Sequence, residues 1–524
     1  MRIRKKYLST LAIAAAAFMA MNAESLVILH TNDTHSQIEP DKTGAGGVLQ
    51  RKAVIDSVRK AEKNVILVDA GDVVQGSLYF KFFKGDVENP LMDMMNYDIR
   101  ILGNHEFDNG IEDIAKYYKN TTSTPLSTNY DFSRTVVDGI FSPYAIKKIG
   151  KKRVGFIGLN IDPSSLISSE NTKGLRFMEI IPAANETAAF LKNDKHCDLV
   201  VAVTHIGAKK ENEKTIDYDL ARASKDIDII IGGHSHTVIM PGQEGTYPNY
   251  VANADGKPVL IAQTGKYGKY LGYIKIDLDK VGKNAANEYD YRLIPVTDRF
   301  NEEVLDKDII NFLAPYKQVV DSVNSRVIAR AAYSLTNEKR TGGFPNLAGD
   351  IAYNYAVHKA DSLRLSNPDF PEIDFAIMNV GGIRLNMPEG DITEGQILST
   401  FPFTNHLVIG EIKGRDLIDA LKIAAKKGGE AVSGNLLVLT DRDKNVTRVL
   451  LDDYDVNPDT TYTYATIDYL IEGNDDLTPL AHSSLLWRDD VEVSAPILNY
   501  FERMGKAGYP IEADPRPRFV ECEN

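Results

Sequence analysis

The sequence predicts a mixed α/β protein built in two regions, and three observations carry that prediction. Short runs rich in Val and Ile alternate with helical stretches over residues 24–295. One apolar stripe at helical spacing follows over 301–327. From residue 331 onward helices and strands follow one another in a different, mixed pattern, with no internal repeat and no low-complexity tract.

In the first region the strand candidates are 26–30, 65–69, 99–102, 154–159, 199–204, 227–231 and 259–263. Runs this apolar suit strands buried on both faces between helices, hence an α/β or layered α–β arrangement. Polar residues gather just after the strand ends, where ligands sit in open sheets. In the stretch 301–327, Leu305, Ile309, Phe312, Tyr316, Val319 and Val323 recur at spacings of three and four, the mark of one buried helix face. Pro315 bends this helix or breaks it. A further helix of the first domain and a connector between two domains both fit it; the change of pattern beyond it favours the connector. In the second region helices are expected at 347–363 and 415–427, and strands at 375–378, 407–412 and 462–467. The expected domains are a leader at 1–23, a first domain at 24–300, a connecting helix and linker at 301–334, and a second domain at 335–524.

The leader reading rests on chemistry. Arg2, Arg4, Lys5 and Lys6 precede the apolar run 8–20, which is shorter than the ~20 residues of a membrane span, and small residues surround Ala23. A secretory signal peptide cut near Ala23 fits this pattern; an uncleaved anchor and a buried helix are the alternatives. No later segment approaches a membrane span, and no Cys stands near the cut to carry a lipid. A soluble chain exported to the periplasm or beyond the cell is therefore expected.

Composition narrows the function. Apolar residues make up 43% and charged residues 25%, which excludes a disordered, collagen-like or coiled-coil chain. The net charge of −13 gives a nucleic-acid duplex no general electrostatic reason to bind, while a small anion held by local Arg or metal remains allowed. Two cysteines, Cys197 and Cys522, exclude a disulfide framework; one bridge is possible and not required.

Five polar clusters follow the apolar runs of the first region: 30–35 (His-Thr-Asn-Asp-Thr-His), 69–72 (Asp-Ala-Gly-Asp), 103–108 (Gly-Asn-His-Glu-Phe-Asp), 204–205 (Thr-His) and 232–237 (Gly-Gly-His-Ser-His-Thr). Imidazole, carboxylate and amide oxygen bind borderline or hard divalent cations, and no thiolate is among them. Each cluster alone is a common turn. Five in succession, each at a strand end, point to one metal centre.

These clusters resemble the signature blocks of the calcineurin-like metallophosphoesterases. More narrowly, the chain is similar over about 25–515 to the secreted 5′-nucleotidase/UDP-sugar hydrolase family, and Gly46-Gly47 fits the same pattern. The resemblance implies a four-layer α/β/β/α sandwich plus a second α/β domain joined by a helix. It implies two divalent ions of zinc, manganese, cobalt or iron, one held by Asp33, His35 and His236, the other by Asn104, His205 and His234, with Asp72 bridging both. Two cations ~3.5–4 Å apart repel and need such an anionic bridge; together they polarise a phosphate and activate water. His105 then stabilises the transferring phosphoryl group or protonates the leaving oxygen, roles that sequence does not separate, and Asp108 orients it. Glu106 and Phe107 read as structural, and His196 as a surface residue.

The second region carries the blocks that the family uses for substrate. Asn379-Val380-Gly381-Gly382-Ile383-Arg384 resembles its Asn-x-Gly-Gly-Ile-Arg block, with Val380 where a small residue is usual. A glycine turn lets backbone approach an anion, and Arg offers planar donors to phosphate. Arg340 precedes Asn346-Leu347 as a ligand Arg does in the family, with Pro345 in place of Gly. Phe403 and Tyr469 match the two rings that sandwich the nucleobase, an arrangement tolerant of base identity. Asp475 matches the ribose-binding Asp, but Asn474 and Asp476 replace glycines of that block. Both residue types tolerate left-handed backbone, so the turn is expected to survive. An inward carboxylate at Asp476 would repel an anionic ligand.

The resemblance thus implies hydrolysis of nucleoside 5′-monophosphates to nucleoside and phosphate, with a small nucleotide as partner. The alternatives are a UDP-sugar pyrophosphatase or 2′,3′-cyclic nucleotide phosphodiesterase using the same site, and an exported binding protein without catalysis.

Overall fold

The computed structural model describes residues 24–210, 214–281, 289–298 and 305–522. The expected leader at 1–23 lies outside the described residues. The chain divides into two compact units. The first takes in the described residues to Val74, then Gly85–Asp162 and Lys173–Phe312; the second takes in Gln75–Lys84, Pro163–Thr172 and the chain from Leu313 onward.

Two six-stranded sheets form the first unit. One runs in the order Tyr289–Pro295, Tyr270–Asp277, Ser25–Thr31, Val65–Asp69, Ile99–Ile101, Thr124–Leu126. The other runs Tyr250–Ala252, Pro258–Ala262, Ile229–Ile231, Leu199–His205, Lys152–Asn160, Tyr144–Ile149. The predicted strands form the parallel centre of each sheet. The outer strands Tyr270–Asp277, Tyr144–Ile149 and Tyr250–Ala252 pair antiparallel, and the sequence reading did not find them. Tyr144–Ile149 is half-exposed, which dilutes its apolar signal.

Alternation explains the layers. Leu26 and Ile28 join Val201, Val203, Ile229 and Ile231 in one core drawn from both sheets, so the sheets pack face to face. Val27 and Leu29 are equally buried outside that core. The helix Ile180–Asn193 packs on Lys152–Asn160 and Leu199–His205. The result is the expected layered α/β architecture.

The second unit holds a five-stranded sheet in the order Ala431–Val432, Phe375–Met378, Thr461–Ile467, His406–Lys413, Ser484–Glu492, and a four-stranded sheet ending at Phe519–Glu521. The helix Phe344–Arg364 starts with Pro near its N-terminus and buries Ala348, Ala352, Ala356 and Ala360, a small-residue stripe that admits the strand Phe375–Met378 closely. The helix Gly414–Lys427 buries Leu417, Ala420, Leu421 and Ala424 and stops at left-handed Gly428. Cys197 and Cys522 are both free thiols.

The helix Lys307–Ser325 is continuous through Pro315. Its covered face follows most of the predicted stripe, with Ile309 buried and Leu305, Phe312, Tyr316 and Val323 half-buried; Leu313 and Val320 are buried as well, while Val319 is 43% exposed. A 3.6-residue period drifts across a long stripe, and the buried set follows that drift. Among the described residues no helix is long and apolar enough to cross a membrane.

Candidate active site

All five polar clusters stand at the C-terminal ends of parallel strands of the first unit, where register aligns Thr31 with Asp69 and Asn160 with His205. The backbone there is unusual. Asp33, His35, Asp72, His234 and His236 all adopt left-handed φ, between 45° and 74°. Each such residue costs of order 1–3 kcal/mol and persists only where the surroundings over-determine it. Two glycines make the close approach possible. A Cβ on Gly103 would collide with the Asp72 carboxylate, and one on Gly233 would lie 2.8 Å from both Ala70 O and His205 Nδ1.

The predicted ligands converge. Asp33, His35 and His236 form one group able to hold a metal ion, Asp33, Asp72 and His205 a second, and His35, Asp72 and His105 a third. Asp72 Oδ2 stands 3.2 Å from His205 Nε2 and 3.8 Å from His35 Nε2. Asp33 Oδ1 stands 3.5 Å from His236 Nε2 and 3.9 Å from His205 Nε2. Asn104 Oδ1 meets His234 Nδ1 at 3.0 Å. His205 Nδ1 is fixed 2.6 Å from the carbonyl of Ala70, so Nε2 is the atom turned to the cluster.

Electrostatics agrees with a cation site. Burial, with the Asp72 charge adding to it, pushes Asp33 up to about 7 against the opposing His205, Asn32 and His234. Burial opposes ionisation of Asp72 too, but the imidazoles of His205, His105 and His35 hold it well below the usual carboxylate range. Burial works to lower His205; the Asp72 and Asp33 carboxylates outweigh it and hold it up at about 10. Asp33 and Asp72 are both buried, and two buried carboxylates side by side are costly without positive charge between them. Two carboxylates with several imidazoles and an amide oxygen fit divalent cations of the kind calcineurin-like phosphoesterases use.

His105 Nδ1 lies 3.0 and 3.2 Å from the two carboxylate oxygens of Asp108. Its ring stands edge-on to His35, centroids 5.4 Å apart. Glu106 is buried and accepts the backbone N–H groups of Gly103, Asp72 (3.0 Å) and Val73 (2.8 Å), tying two clusters together. Phe107 is fully buried and His196 is exposed.

Sequence reasoning missed two supports. Asn32 donates to Asp33 Oδ2 at 2.6 Å and accepts from Thr264 N at 2.9 Å. Tyr267, left-handed at φ 63°, donates its N–H to the Asp33 carbonyl and sets its ring edge-on to His35. Asn32 lay inside a cluster without a spacing signal of its own. Tyr267 lies outside every cluster, and only its backbone strain marks it.

The predicted substrate residues are grouped in the second unit. A cavity of about 330 Å³, open solvent included, is lined by Asn379, Gly382 and Phe403 with Phe401, Asn405 and Ile467. Arg384 is exposed, with its guanidinium 5.7 Å from the Phe403 ring centroid. Asn379 Nδ2 donates to Asp475 Oδ2 at 2.8 Å. Arg340 pairs with Glu430, which the sequence reading did not single out. Tyr469 packs against the core of this unit and does not line the cavity. The turn with replaced glycines is intact: Gly473, Asp475 and Asp476 are left-handed, and Asn474 is buried with its amide donating to the Tyr469 carbonyl. The Asp476 carboxylate is paired with Lys427 at 3.2 Å.

Comparison with known proteins gives the same outline. The calcineurin-like phosphoesterase family matches residues 26–238, and the 5′-nucleotidase C-terminal domain matches 322–482. A Bos taurus 5′-nucleotidase is 28% identical over 476 residues, covering 84% of this chain and 80% of its own. The trifunctional nucleotide phosphoesterase YfkN of Bacillus subtilis is 26% identical, covering 95% of this chain and 35% of its own. The crystal structure of a 5′-nucleotidase precursor from Thermus thermophilus superposes with TM-score 0.76 at 28% identity, over 95% of this chain and all of that one. With the phosphoesterase blocks on one unit and the C-terminal blocks on the other, the chain belongs to the 5′-nucleotidase family and is a hydrolase of phosphoric monoesters.

Proposed function

We propose that this chain is an exported 5′-nucleotidase that binds two divalent metal ions and cleaves nucleoside 5′-monophosphates to nucleoside and inorganic phosphate. The observation that carries the reading is that Asp72 belongs to two of the three converging ligand groups, with His205 and His35 on either hand. Asp33, His35 and His236 would hold one ion and Asn104, His205 and His234 the other, with Asp72 shared. Ions bound there supply Lewis-acid polarisation of the phosphate and a water acidic enough to attack at neutral pH.

The chain's own residues do the rest. Asp108 accepts from Nδ1 of His105, which fixes the tautomer and the ring direction. His105 then stabilises the phosphoryl group as charge develops on its oxygens. Arg340 and Arg384 grip the substrate anion beside the glycine turn at Asn379 and Gly382, and Asp475 holds the ribose. Phe403, which lines the cavity, supplies a ring for the base; the second ring that the resemblance implies, Tyr469, lies outside that lining. Lys427 neutralises the carboxylate at Asp476, which removes the repulsion that an unpaired charge there would exert on an anion. The division of labour follows the expected domains, catalysis in 24–300 and nucleoside capture in 335–524.

The test is a metal-depleted protein restored with Zn, Mn, Co or Fe and assayed on AMP, UDP-glucose and 2′,3′-cyclic AMP side by side, with metal counted per chain. Preferred AMP cleavage at two ions per chain is expected. Preferred cleavage of UDP-glucose or the cyclic nucleotide would replace the substrate reading, and metal-independent turnover would end it. Export is tested by fractionating cells: processed chain outside the cytoplasm is expected.

A further inference from the structure

Glu430 is fully buried, yet it is a carboxylate. It follows left-handed Gly428 and Gly429, which stop the helix Gly414–Lys427, and it precedes the strand Ala431–Val432. Its direction is therefore fixed by backbone on both sides. One carboxylate oxygen pairs with Nη2 of Arg340. The other accepts the backbone N–H of Val380 at 2.7 Å, at the head of the glycine turn that follows Asn379. The carbonyl of Gly429 accepts Nε of Arg340 at 3.0 Å. Residues 429–430 thus hold the guanidinium along its Nε–Nη2 edge, while its opposite end carries further donors.

A neutral acceptor would satisfy the Val380 N–H without the cost of burying a charge. Burial pushes the Glu430 carboxyl up, and Arg340 and the Val380 N–H oppose that rise. A negative charge beside an arginine also weakens the field an anionic ligand meets. The carboxylate does one thing a neutral group does not: it makes a strong, directed bond to Arg340 while holding the glycine turn.

We propose that Glu430 is a positioning residue that locks Arg340 to the Asn379–Arg384 turn and so sets the grip on the substrate phosphate. This rests on the reading of Arg340 as a phosphate-binding residue. Glu430→Gln keeps the shape and the Val380 bond and removes the charge. In the metal-loaded full chain it should raise KM for AMP about tenfold with kcat within about twofold. The inhibition constant of adenosine, which has no phosphate, should stay within about twofold. Arg340→Ala should raise KM similarly, and the double variant should be no worse than Arg340→Ala alone. Glu430→Asp, which keeps the charge, should fall between wild type and Glu430→Gln.

Unchanged KM in Glu430→Gln beside a raised KM in Arg340→Ala would overturn the role of Glu430 alone. Unchanged KM in Arg340→Ala would overturn the reading of Arg340. Additive effects in the double variant, or equal weakening of AMP and adenosine, would overturn the coupling. Should Glu430→Gln fail to fold, Glu430→Asp decides by the same pair of constants: a KM raised about threefold or more supports the proposal, and an unchanged KM overturns it.

Discussion

The backbone N–H of His105 donates a 2.9 Å hydrogen bond to Oδ1 of Asp72. The other oxygen of the same carboxylate faces His205 and His35. One side chain therefore serves the proposed metal centre and also fixes the loop that carries the proposed phosphoryl-stabilising histidine.

Asp72→Asn separates those two duties. The amide oxygen can still accept the His105 N–H, so the loop should hold, while the shared negative charge is gone. Bound metal should drop after dialysis, and AMP turnover should fall at least about 100-fold. Elemental analysis beside a phosphate-release assay checks both; wild-type metal content with wild-type turnover would contradict the assignment of Asp72.

His105→Ala should leave bound metal unchanged and lower kcat by about 10²–10⁴. Asp108→Asn should lower it less, by about 10–100-fold, because the ring remains but loses its carboxylate anchor. Loss of metal in His105→Ala would instead make that residue a ligand, in keeping with its place in a group with His35 and Asp72.

Gly103→Ala is a packing test. The added methyl would collide with the Asp72 carboxylate and lie 2.5 Å from its backbone N, so backbone must shift. Stability should fall by about 1–3 kcal/mol, with metal affinity falling too. Urea unfolding and metal titration measure the two. Unaltered values for both would mean that the loops are not packed as tightly as described.

His30, which belongs to none of the converging ligand groups, gives a pH prediction. It is fully buried against Tyr291, and among the described residues neither ring nitrogen has a hydrogen-bond partner. Burial pushes it down to about 3. Between that value and the ordinary ~6.5, the unfolded chain binds a proton that the folded chain does not, so stability is lost as pH falls through this window. The contribution is about 1.4 kcal/mol per pH unit at most. His30→Leu removes the group, so its acid limb should be flatter than wild type in urea unfolding at pH 7, 6 and 5. Parallel limbs would show that His30 is not buried neutral.

The sequence by itself determined the central strands and the chemical clusters, because both are local: a Val- and Ile-rich run states its own burial, and a polar cluster after it states where the strand ends. Asp33, Asp72 and His205 were legible for that reason, as were Asn379 and Phe403 once their blocks were seen. Only the tertiary structure decided that Leu313 and Val320 are buried on the long helix while Val319 is exposed, that Tyr469 packs against the core, and that Tyr267 and Asn32 brace Asp33. It also decided that Glu430 lies buried beneath Arg340, 90 residues away in sequence. Those outcomes depend on what each residue meets across long stretches of chain, and neither periodicity nor spacing carries that information.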